Sequence, residues 1–68
     1  MIVTQKTVDE KDKKILYLIK KGTPRKQIAP LVHMTTHGVD SRVNRMKKYY
    51  KAESTTALIA FAIEQGLI

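Results

Sequence analysis

MTTHGVDSRVNRMKKYYK, residues 34–51, carries two chemistries on one period. Val39, Val43, Met46 and Tyr50 recur at spacings of four, three and four, which sets them along one stripe of an α-helix. At about 100° per residue, His37, Asp40, Ser41, Asn44, Arg45, Lys47 and Lys48 spread over the opposite half of the wheel. The apolar stripe reads as core and not as a cofactor site. The other half mixes hydrogen-bonding side chains with cations, the composition of a surface that meets a partner.

Working outward, the 68 residues allow one small domain, near the lower limit at which an apolar core sustains a fold alone. Thirteen Lys and Arg against six Asp and Glu give a net charge of +7, which points to an anionic partner such as nucleic acid or a lipid surface. The charge is unevenly placed. Residues 1–22 carry six cations and three anions, residues 23–51 seven cations and one anion, and residues 52–68 only Glu53 and Glu64. The middle of the chain is therefore the basic pole and the tail the apolar one. Without cysteine there is no disulfide and no thiolate metal site. MIVTQKTVDEK lacks the apolar run of a signal peptide, and no segment approaches the length of a membrane span, so a soluble cytoplasmic protein is expected.

The expected fold is all-α, with four helices at about 10–21, 24–32, 36–50 and 55–65. Residues 1–7 show no period and read as a short arm. Asp9 suits the N-cap of the first helix, with Asp12 three residues on as a short capping-box partner and Val8 as a staple. Ile15, Leu16, Leu18 and Ile19 mark its buried side, and Gly22 suits a left-handed terminus. Thr23 as N-cap and Pro24 at the first helical position open the second helix, whose buried edge is Ile28, Ala29 and Val32. Pro30 removes a backbone donor and crowds the preceding turn, so this helix is expected to be short or bent. A tight turn plugged by Met34 follows, and Thr35 or Thr36 caps the third helix. Ser54 or Thr55 caps the fourth, TTALIAFAIEQ, which is apolar nearly all round and closes at Gly66. A domain of this size cannot enclose such a helix, so part of it, with Ile59 and Ile63, is expected to meet another chain.

Catalysis is not expected. Asp9, Glu10 and Asp12 read as caps, no glycine-rich phosphate loop occurs, and Ser41 has no adjacent His. His33 and His37 are four apart, but no Cys or carboxylate completes a metal site, so no metal and no cofactor is expected.

Two helices joined by a tight turn, the second with a polar, basic outer face, match the helix-turn-helix pattern. VDEKDKKILYLIKKG, PRKQIA, V-x-M-T-x-x-G-V with NRMKK, and TALIAFAIEQGLI resemble the successive blocks of the LuxR/FixJ-type (GerE-like) DNA-binding domain over residues 8–68. The resemblance implies a DNA-binding transcriptional regulator, as the output end of a longer chain with a sensor or receiver part or as a protein standing alone. It implies double-stranded DNA as partner, with the third helix in the major groove. Base contacts would fall on Asp40, Ser41 and Asn44, and backbone contacts on Thr36, His37, Arg42, Arg45, Lys47 and Lys48. The last helix would pair two copies into a homodimer. The chain departs from the family's usual residues at Lys14, Gly38, Asp40, Arg42 and Lys51. An acid at Asp40 repels phosphate but accepts from the amino group of cytosine. The alternative is an interaction module that keeps this fold and docks the last helix on a protein partner without touching DNA.

Overall fold

The computed structural model describes residues 8–68; the expected arm at 1–7 lies outside the described residues. Four helices follow in order: α1 Glu10–Lys20, α2 Arg25–Leu31, α3 Thr36–Tyr50 and α4 Thr55–Glu64. The all-α, four-helix expectation holds, and the helix ends differ from it by one residue at most.

Local chemistry accounts for most of the boundaries. At α1 the Asp9 carboxylate accepts from the backbone N–H of Asp12 at 2.9 Å, and the Asp12 carboxylate accepts from the N–H of Asp9 at 3.3 Å. That reciprocal pair satisfies two amides that have no partner inside the helix. Thr35 Oγ1 accepts from Gly38 N at 2.9 Å and Ser54 Oγ from Ala57 N at 3.0 Å, so Thr35 and Ser54 are the caps of α3 and α4. The opening of α2 departs from expectation. Pro24 occupies the cap position with no side-chain bond, and its carbonyl receives the N–H groups of Gln27 and Ile28 at 2.9 and 3.0 Å. Its ring fixes φ near −64° in the extended geometry a cap needs, so Thr23 is not used. Pro30 stays inside α2, and the helix ends one residue later at Leu31, where His33 turns left-handed at φ 57° and the Met34 N–H returns to the Ala29 carbonyl at 2.9 Å.

The core is one cluster: Val8, Ile15 and Leu16, then Ile28, Ala29 and Val32, then Val39, Val43 and Met46, and finally Leu58 and Ala62. Every helix contributes at helical spacing, and α2 packs chiefly on α3. Tyr50, the last residue of the expected stripe, sits at the rim of this core. Its ring lies edge-on to Tyr49 and tilted against Phe61, each at 4.8 Å between centroids, and so closes the end of α3 onto α4. Leu18, Ile19 and Met34 are likewise half-buried and packed against the cluster. Gly38 has a packing reason: a Cβ there would lie 3.1 Å from Met34 Cε and 3.2 Å from Thr35 Oγ1, against the plug of the turn and the cap itself.

Candidate nucleic-acid interface

With Val39, Val43 and Met46 buried, the opposite side of α3 is held outward. His37, Ser41, Asn44 and Lys48 are exposed at spacings of four, three and four, which places them on one face over successive turns. Thr36 is exposed at the start of that face, and Lys47 is half-buried beside its end. Among the described residues, none of the Ser41, Asn44, Lys47 and Lys48 side chains has a hydrogen-bond or ion-pair partner. Asn44, Lys47, Lys48 and Lys51 line a shallow open hollow with Ala52 and Glu53. The end of α3 is thus a cationic surface, and the cations sit favourably against the negative pole of the helix.

The remaining charged residues of α3 are engaged within the molecule. Arg42 Nη1 donates to Asp9 at 3.0 and 3.1 Å and to Asp12 Oδ1 at 3.1 Å. Arg45 Nη2 donates to the other oxygen of Asp12. Asp12 is fully buried, so it is more than a cap: its carboxylate joins α1 to α3. These bonds raise the Arg42 pKa, the Asp12 bond most and the Asp9 bond next. The Asp9 carboxyl is pulled below its ordinary value, chiefly by the Asp12 backbone N–H; partial burial opposes this and Arg42 adds to it. Both arginines expected on DNA phosphates therefore already bind carboxylates, although Arg45 keeps half of its side chain in solvent (51%).

Asp40 is engaged too. Arg25, the first residue of α2, donates through Nη1 to Asp40 Oδ1, and through Nη2 to Thr55 Oγ1 at 3.3 Å. One guanidinium thereby joins the starts of α2 and α4 to the second turn of α3. The acid that stands out on the polar face is paired with a cation that the sequence reading did not single out. Nothing local marks Arg25 for this role, because its partners lie 15 and 30 residues away.

Of the two residues expected between subunits, Ile59 is half-buried and Ile63 is 49% exposed. Together with Ile19, Ala60 and the threonines at the start of α4 they line a shallow groove of about 320 Å³ between α1 and α4. No helix among the described residues is long and apolar enough to cross a membrane.

These features define a compact four-helix domain with one polar, cationic helix face and one apolar groove. Comparison with protein-family models, curated proteins and solved structures finds no match, so the likeness to LuxR/FixJ-type domains stands on the sequence blocks quoted above.

Proposed function

We propose that the protein binds double-stranded DNA in a sequence-dependent way, as a transcriptional regulator or the output domain of one, working in the cytoplasm. In this reading α3 enters the major groove, and Ser41, Asn44 and Asp40 meet base edges. Lys47 and Lys48, with Thr36 and His37 at the other end, meet the phosphates. Arg42 and Arg45 contribute mainly by fixing α3 on α1, with phosphate contact left to the part of Arg45 that faces solvent. Two copies paired through the groove at Ile59 and Ile63 would read two half-sites about one helical turn apart.

The observation that carries the reading is the separation on α3. Arg42 and Arg45 are held by carboxylates of α1 and its cap, while exposed Ser41, Asn44 and Lys48, with half-buried Lys47 beside them, have no side-chain partner among the described residues, and Asp40 on the same side is gripped at one oxygen only. The cations at the end of α3 add to a net charge of +7, which favours an anionic partner. The test is fluorescence anisotropy with a random duplex and with selected sites over a range of salt. Log K should fall linearly with log salt, at about −0.9 per phosphate neutralised. Asn44→Ala should flatten the preference among sites, whereas Lys48→Ala should weaken all of them and lower the slope by about one contact. Absence of binding at low salt by the folded domain would sink the proposal.

The apolar groove supports a second reading, an interaction module that docks α4 on a protein partner. Ile63→Glu separates the two: it should weaken pairing of copies and binding to a double half-site, and leave binding to a single half-site intact if DNA is the ligand.

A further inference from the structure

Resting on the DNA-binding reading, we infer that Arg25 is a positioning residue that turns Asp40 into a cytosine reader. Arg25 occupies one carboxylate oxygen, Oδ1, and leaves Oδ2, without a partner among the described residues, to accept from the exocyclic amino group of a base.

An unpaired aspartate on a groove-facing helix repels phosphate from every sequence alike, and its free side chain samples several rotamers. Both effects work against selective contact. The geometry at residue 40 removes both. Arg25 sits at the first position of α2 and its Nη1 holds Asp40 Oδ1, while its Nη2 is held by Thr55 at the start of α4. The guanidinium is thus fixed from two sides, and a planar fork fixed in this way fixes the carboxylate it grips. Among the described residues Oδ2 of Asp40 has no hydrogen-bond partner, and the Asp40 side chain is 46% exposed. It lies one residue before Ser41 and four before Asn44, on the side of α3 that carries the unpartnered polar groups. A charge-compensated carboxylate with one free, oriented oxygen is an acceptor without a donor. In the major groove that pattern matches the amino group of cytosine and does not match the bare acceptors of guanine or thymine; adenine also offers an amino donor, but the N7 acceptor beside it repels a carboxylate, so cytosine is preferred. The pair therefore supplies selection at one base without the general repulsion of an acid.

The experiment is selection of bound sites from a pool of duplexes with a randomised centre, followed by competition anisotropy with the selected duplex. The wild-type protein should fix one position as cytosine, and thymine there should weaken binding about tenfold. Asp40→Asn, which offers a donor and an acceptor, should move that position towards adenine, and Asp40→Ala should leave it undetermined. Arg25→Gln should keep binding but weaken it on all sites and reduce cytosine discrimination to about threefold or less. Arg25→Lys, which keeps the charge without the fork, should fall between Arg25→Gln and wild type, so the conclusion does not depend on the more disruptive variant. Full discrimination retained in both Arg25 variants would overturn the positioning role. A selected site in which no base responds to residue 40 would overturn the inference while the DNA-binding reading stands. Failure of the folded wild type to bind any of the pool would overturn both.

Discussion

Two aspartate–arginine junctions tie α3 to its neighbours, and they differ in where the carboxylate sits. At the α1 junction Asp12 is fully buried, its oxygens shared between Arg42 and Arg45. At the α2 junction Asp40 and Arg25 both reach solvent, with side chains 46% and 34% exposed. The residue types are the same and the physics is not. A buried carboxylate has lost its hydration and depends on the guanidinium groups and the backbone amide to offset that loss. An exposed pair trades protein contacts for water at little net difference, and salt screens it. The first junction therefore belongs to the fold. The second adds little to stability, and its acid keeps one oxygen without a hydrogen-bond partner among the described residues.

The strongest way to break this contrast is to strip Asp12 of its partners. Arg42→Ala with Arg45→Ala leaves a buried, uncompensated charge, and should cost about 3–5 kcal/mol. A domain this small has a total stability of about 5 kcal/mol, so the double variant should keep about 2 kcal/mol or less and melt far below wild type by circular dichroism. Arg42→Ala alone should cost much less, since Arg45 still holds one oxygen. A double variant that melts within a few degrees of wild type would mean that Asp12 is hydrated, and that the two junctions are alike.

What the sequence made legible follows the range of the interaction. The caps at Asp9, Thr35 and Ser54 bond three residues ahead, so residue type and spacing alone reveal them. The stripe through Val39, Val43 and Met46 is equally local, and the core was readable from it. Both junctions link residues 15 or more apart, and no spacing rule connects such pairs; the charges were visible and their partners were not. Backbone conformation failed for a different reason. His33 and Lys51 adopt positive φ, 57° at each, where residue type gave no signal; Gly22 and Gly66, at 89° and 74°, were readable because glycine favours that region. Lys51→Gly should relieve a left-handed penalty of about 1–2 kcal/mol and give back part of it as unfolded-chain entropy. The net gain should be about 0.5–1 kcal/mol in a urea titration. That change touches neither junction, which makes it a control for the charge variants.

Asp40→Asn should sharpen the contrast from its other side, with a stability change under about 0.5 kcal/mol that fades in high salt. A loss comparable with that of the Arg42 and Arg45 pair would show that the exposed junction is structural, and would leave it unavailable to a base.

The smallest effect is expected at Asp9, which belongs to the buried junction by its partner Arg42 but to the exposed class by its position, with 53% of its side chain in solvent. Its carboxyl lies below the ordinary value of 3.8, so the fold favours the ionised form. The stability this provides is complete above the unfolded value and is lost as pH falls through the folded one. Asparagine caps a helix about as well as aspartate, so Asp9→Asn keeps the bond from the Asp12 amide and removes the charge that faces Arg42. Wild type should therefore be the more stable protein from neutral pH down to about pH 5, with the gap closing below about pH 4. A gap that stays open in acid would come from packing at the helix start. A gap that closes as described would trace the difference to the charge that faces Arg42 and not to the cap, which both residues supply.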